Sequence, residues 1–161
     1  MKLSKGHILD LEITSLAYGG MGISHYKDII IFVKGAIPGE KVKAKIYKKK
    51  KKYLEAYSIE KIQPSKYSTD PMCEHFGICG GCSFQNLNYN EQLNQKNIQV
   101  RDLFTRIGGI TSPNINKIVG CQEHYNYRNK MEFSYSSNKW IINLDEQDEK
   151  EDESAFGLHV K

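Results

Sequence analysis

Six residues, Lys41-Val42-Lys43-Ala44-Lys45-Ile46, constrain the fold of this chain more than any other stretch. Cation and aliphatic alternate strictly, the period of a half-buried strand that packs one face and lines the other with ammonium groups. Similar runs surround it. Leu9, Leu11 and Ile13 alternate with Asp10, Glu12 and Thr14, Ile29 to Val33 is a more apolar run, and Tyr53 to Ile62 returns as a further strand. Gly19-Gly20-Met21-Gly22 and Ile37-Pro38-Gly39-Glu40 separate the runs with turn chemistry. Short strands at this spacing, joined by glycine-rich turns, predict a small antiparallel barrel.

Beyond the strands the pattern changes. Pro64 and Pro71 bracket a polar connector that leads into Cys73-Glu74-His75-Phe76-Gly77-Ile78-Cys79-Gly80-Gly81-Cys82. Asn88 with Glu91 three residues later has the form of a capping box. Tyr89, Leu93, Lys96, Val100, Leu103, Phe104 and Ile107 then recur at helical spacing until Gly108-Gly109 stops the helix. Past Pro113, Met131, Phe133 and Tyr135 alternate, Ser136 to Lys139 turns, and Trp140 to Leu144 pairs back as a hairpin. Ala155 to Val160 reads as one more strand. The fold class is therefore mainly β with one long helix. Its parts are a barrel over 1–63, a connector and cysteine loop over 64–87, and an incomplete α+β region over 88–161.

Charge narrows the function classes. The net charge is +4, yet Asp145 to Glu153 holds seven carboxylates against one lysine, a net of −6, which leaves +10 on all other residues. A body that basic suits a polyanion, most simply nucleic acid. The first residues have no apolar run behind their positive charge, and Ile29 to Val33 is far too short for a bilayer. A cytoplasmic monomer with no membrane partner is expected.

In that compartment, clustered thiols point to a metal centre rather than to disulfides. Cys73, Cys79 and Cys82, spaced C-x5-C-x2-C, are the candidate ligands. An asymmetric trio that needs a distant fourth ligand suits an iron–sulfur cluster better than zinc, which usually takes paired C-x2-C units or histidines. His75 is either a zinc ligand or an ordinary loop residue. Cys121 is either the fourth ligand or a small core residue. The second candidate site is basic. Lys43 and Lys45 on the strand, and Lys48, Lys49, Lys50, Lys51 and Lys52 at the hairpin tip, have Tyr47 and Tyr53 beside them. Phosphate neutralisation plus base stacking is what RNA needs. Arg128 and Lys130, in Tyr127-Arg128-Asn129-Lys130, add two cations. No nucleophile–base pair, phosphate-cradling glycine loop or dinucleotide fingerprint is present.

Taken in order, these motifs resemble the RNA (uracil-5-)-methyltransferases of the RumA type. The resemblance rests on the basic barrel and Cys-x5-Cys-Gly-Gly-Cys-x2-Gln. It extends through Tyr89-x2-Gln92-Leu93-x2-Lys96 to Tyr127-Arg128-Asn129-Lys130-Met131-Glu132-Phe133. Gly19 to Ile23 and Gly35 to Glu40 look like the TRAM domain, an OB-like RNA-binding barrel. The resemblance implies a [4Fe–4S] cluster on Cys73, Cys79 and Cys82 and methyl transfer from S-adenosylmethionine to uracil carbon 5. It implies RNA as partner, 23S rRNA ahead of tRNA. It also implies that the S-adenosylmethionine domain and the fourth cluster cysteine fall past Lys161, after the segment matched by Gly157-Leu158-His159. Cys121 is then not that ligand, and the 161 residues alone are expected to be inactive. Ser68 stands where the family usually has arginine. The rival readings are a stand-alone TRAM-type RNA binder, a zinc-binding structural module and a methylthiotransferase fragment. The last has a different cysteine spacing and carries its barrel at the other end.

Overall fold

The computed structural model describes residues 3–138 and 154–159. They fall into two compact units, Met1–Asp70 with Phe84–Gly120, and Pro71–Ser83 with Cys121–Lys161.

The first unit is built on a six-stranded sheet. Its strands are β1 (Ile8–Glu12), β2 (Ser15–Leu16), β3 (Gly22–Tyr26), β4 (Ile29–Lys34), β5 (Lys41–Lys49) and β6 (Tyr53–Gln63). The order across the sheet is β1-β5-β6-β4-β3-β2. The mainly β, OB-like architecture with one helix agrees with the sequence reading. One ladder departs from the expected antiparallel pattern, because β4 runs parallel to β6. Alternation marks a strand's two faces but carries nothing about the direction of its neighbour.

The alternating aliphatics make the core. Leu9, Leu11, Ile13, Ile31, Val33, Val42, Ala44, Ile46, Leu54 and Ala56 form one buried cluster. The intervening polar residues face outward, as the period of two demands. Gly22 on β3 marks a close approach. A Cβ there would lie 2.8 Å from Ile13 Cγ2 and 2.9 Å from the Ala36 carbonyl oxygen, so a larger residue would have to displace the segments that carry Ile13 and Ala36. A second cluster of Leu16, Ile37 and Leu87 packs with Tyr67 and Phe84 under the connector.

Helix α1 spans Tyr89–Asp102 and continues as one π-helical turn, Leu103–Ile107. Half of the expected capping box forms. Asn88 Oδ1 accepts from the Glu91 N–H at 2.9 Å, but the Asn88 N–H donates to the Tyr67 carbonyl instead of to Glu91. The packing face corrects the sequence expectation. The helix residues buried most deeply are Glu91 and Gln95. Gln95 Oε1 accepts from the Leu16 N–H at 2.9 Å, its Nε2 donates to Glu91 at 2.7 Å, and Gln99 Nε2 donates to the Leu16 and Ala17 carbonyls. Amides thus satisfy the edge of β2, which a purely apolar face would leave unpaired. Tyr89 and Leu93 are half-buried near Gly120, whereas Val100, Leu103, Phe104 and Ile107 are exposed.

In the second unit, β7 (Ser134–Ser136) pairs antiparallel with β8 (Ala155–Gly157). Met131 and Phe133 lie before β7 in irregular chain, and Trp140 to Leu144 lies outside the described residues, as does the acidic run. No helix among the described residues is long and apolar enough to cross a membrane.

Candidate nucleic-acid interface and cysteine loop

The outer face of β4, β5 and β6 collects the basic and aromatic side chains. In the sheet register, Tyr57 on β6 lies opposite Lys34 of β4 on one side and Lys45 of β5 on the other. Directly opposed residues share a face, so the three form one outward row. Tyr47, on the same outward face of β5 by the period of two, sits unpaired at the register shift between Ile46 and Lys48, beside this row. The Tyr47 and Tyr57 rings stack with centroids 6.1 Å apart and planes 27° apart, and Lys34 Nζ lies 5.4 Å from the Tyr47 ring centre. Phe32 and Tyr53 meet edge to face next to them. Sequence reading missed Lys34, Phe32 and Tyr57 because only the β4–β6 pairing brings them to the lysine strand.

Glu55 organises this face. It accepts from the Tyr47 hydroxyl at 2.8 Å and pairs with Lys48 Nζ at 3.0 Å. The Tyr47 hydroxyl, then Lys48, hold its carboxyl below the ordinary range. Burial, then the bond to Glu55, pushes the Tyr47 phenol up to about 12.

The predicted lysines separate into two sets. Lys43 is paired with Glu60 at 2.7 Å, and that bond raises its pKa. Lys48 is paired with Glu55, and Lys49 Nζ donates to the Leu3 carbonyl. Lys45, Lys50, Lys51 and Lys52 are exposed and form no ion pair among the described residues. Strand β5 runs through Lys49, so the tip is only 50–52, closed by the Lys50 N–H donating to the Tyr53 carbonyl. Arg128 and Lys130 belong to the other unit. There Arg128 Nη1 lies 3.9 Å from Met131 Sδ, and Lys130 pairs with Glu132 at 3.0 Å.

The cysteine loop is a set of tight turns. The Phe76 N–H donates to the Cys73 carbonyl, and the Ile78 and Cys79 N–H groups donate to that of His75. Gly77 takes φ +96°, which favours glycine. Gly81 donates its N–H to Cys79 Sγ at 3.3 Å, and Gly80 donates to the His159 carbonyl at 2.8 Å. A Cβ on Gly81 would lie 3.0 Å from Leu158 Cδ1 and 3.4 Å from Cys79 Sγ, so the loop is close-packed there. His75 Nε2 lies 3.4 Å from Glu74. Cys121 is exposed and its thiol donates to the Glu123 carbonyl at 3.0 Å, which removes the core-residue reading. Cys79 is half-buried, and Cys73 and Cys82 are exposed.

In donor type and loop length, Cys73, Cys79 and Cys82 fit a thiolate-bound cluster, and an N–H···S bond is the kind of contact that tunes such sulfurs. Among the described residues, however, no three Cys, His, Asp or Glu side chains are gathered as a metal-holding group. The loop carries three candidate thiols without drawing them to one point.

Residues 2–57 match the TRAM domain family model. Over 147 residues the chain is 41% identical to an uncharacterized RNA methyltransferase of Bacteroides thetaiotaomicron, covering 90% of this chain and 32% of that protein. It is 32% identical over 155 residues to one of Porphyromonas gingivalis, covering 93% of this chain and 33% of the relative. It is also 35% identical over 173 residues to one of Chlorobaculum tepidum, covering 99% and 34%. The chain spans about a third of the length of these relatives.

Proposed function

We propose that the chain is the RNA-holding part of an RNA methyltransferase that carries a TRAM domain, a reading supported by the TRAM match over residues 2–57 and by its similarity to three proteins named as RNA methyltransferases. The observation that carries the reading is the TRAM match on a sheet whose outer face joins stacked tyrosines to solvent-facing lysines. Lys45, Lys50, Lys51 and Lys52 neutralise phosphates, with Arg128 and Lys130 as further cations. Lys43, Lys48 and Lys49 hold the sheet's own carboxylates and backbone and contribute less. The resemblance of the cysteine, helix and Tyr-Arg-Asn-Lys motifs directs the methyl group to carbon 5 of uracil. The RNA is ribosomal, 23S ahead of tRNA. S-adenosylmethionine supplies the methyl group and is held by the part of the enzyme that this chain does not span.

Cys73, Cys79 and Cys82 hold a [4Fe–4S] cluster together with a fourth ligand other than Cys121. The cluster would draw together turns already tied to one another by main-chain hydrogen bonds. Anaerobic reconstitution with iron and sulfide tests this part. Brown, cysteine-ligated iron is expected, lost in Cys79→Ser and kept in Cys121→Ser. Stoichiometric zinc with no iron would sink it.

The RNA reading is tested by fluorescence anisotropy with a labelled 23S-derived stem-loop and a tRNA. Binding is expected, stronger for the rRNA fragment, with no 5-methyluridine formed by the 161 residues in the presence of S-adenosylmethionine. Absence of binding to either RNA would refute the proposal. Methyl transfer by this chain alone would refute its division of labour.

A further inference from the structure

The Lys34–Tyr57–Lys45 row, with Tyr47 behind it, has a more specific geometry than a basic surface needs. We propose that it is a site for one unpaired base of single-stranded RNA, the base stacking on Tyr57 and the neighbouring phosphates reaching Lys34 and Lys45. This rests on the RNA reading above and adds the substrate class and the residue that selects it.

Three observations support the site. Tyr57 is an aromatic on an outward strand position with 38% of its surface exposed, where burial gives it no reason to be aromatic. It is flanked across the sheet on both sides by lysines. Neighbouring strands lie about 4.8 Å apart, so the two side chains bracket the ring within the reach of a single nucleotide and its phosphates. Finally, the platform is held in advance. Tyr47 is stacked on Tyr57, its hydroxyl is fixed on Glu55, and Lys34 lies against its ring. Pre-ordering lowers the entropy that binding must spend on fixing side chains. Glu55 would otherwise repel phosphate, but Lys48 and the tyrosine hydroxyl occupy it.

The chemistry excludes a duplex as preferred ligand. A paired base has both faces covered by its neighbours, whereas an unpaired one offers a face to an aromatic ring. Stacking tolerates any base, so the row discriminates strandedness rather than sequence.

The test uses the whole chain and a short RNA containing one 2-aminopurine, single-stranded or annealed to its complement. Wild-type protein should quench the single-stranded probe and bind it more tightly than the duplex. Tyr57→Leu, which keeps an apolar strand residue, should abolish quenching and weaken binding roughly 5- to 150-fold without changing the salt slope. Tyr57→Phe should restore both, and Lys45→Ser should lower the slope by about 0.7 while leaving the quenching. Wild-type affinity and quenching in Tyr57→Leu, or equal affinity for duplex, would overturn the site and leave the RNA reading intact. No binding of either RNA by the wild type would overturn both.

Discussion

Glu40 is fully buried, yet it follows the turn residues Pro38 and Gly39. Its Oε2 accepts from the Ile37 N–H at 2.9 Å, and Lys61 Nζ lies 2.9 Å from Oε1. One carboxylate thus closes the turn and ties it to β6. Glu40→Ala removes both partners and leaves a buried N–H unsatisfied, so we expect a loss of about 2–3 kcal/mol in urea unfolding, with Glu40→Gln losing less. Equal stability of Glu40→Ala and wild type would show that water replaces the carboxylate. A second residue-scale prediction concerns pH. Glu55 is depressed in the fold, so its contribution is present above the ordinary carboxylate range and fades as pH falls through its folded value. Tyr47 is raised to about 12, so the fold loses stability as pH climbs from about 10 towards that value. NMR titration should give a Tyr47 ring signal with a midpoint near 12 and a Glu55 carboxyl below its usual range. Ordinary midpoints for both would break the Glu55 network. Residue types at this face were legible in the sequence; their partners were not. Lys43, Lys48 and Lys49 look the same as Lys50, Lys51 and Lys52 until the register brings Glu60, Glu55 and the Leu3 carbonyl to the first three.

Among the elements, the strands were legible because one face of each is aliphatic and the period is two. The start of α1 was legible because Asn88 is a true N-cap. Its packing face was not. Hydrophobic periodicity points to Val100, Leu103, Phe104 and Ile107, whereas Gln95 and Gln99 dock on β2 through hydrogen bonds that no hydropathy pattern records. The same limit hid the parallel β4–β6 ladder. Gln95→Leu tests the polar docking. Leucine fills similar space but leaves the Leu16 N–H without its acceptor and removes one of the donors to Glu91, so roughly 1–3 kcal/mol should be lost. Hydrogen exchange at Leu16 should accelerate. Unchanged protection at Leu16 would mean that the helix is held by other contacts.

For the whole molecule, the division of charge carries the account. A net +10 outside the acidic run, with Lys50, Lys51 and Lys52 exposed at a hairpin tip and Lys45 on the adjoining strand face, suits a polyanion, and the TRAM match spans β1 to β5 and the start of β6. The metal reading draws on the cysteines of the second unit and the lysine and tyrosine part of the RNA reading on the first, so these two can fail separately. In the proposed function, the hairpin tip of the TRAM sheet grips RNA phosphates. The most direct measurement is the slope of log affinity against log salt for single-stranded RNA, compared between wild type and Lys50→Ser/Lys51→Ser/Lys52→Ser. Each engaged lysine contributes about 0.7 to a single-strand slope, so the triple variant should bind more weakly with a slope smaller by about 2. An unchanged affinity and an unchanged slope would contradict the account.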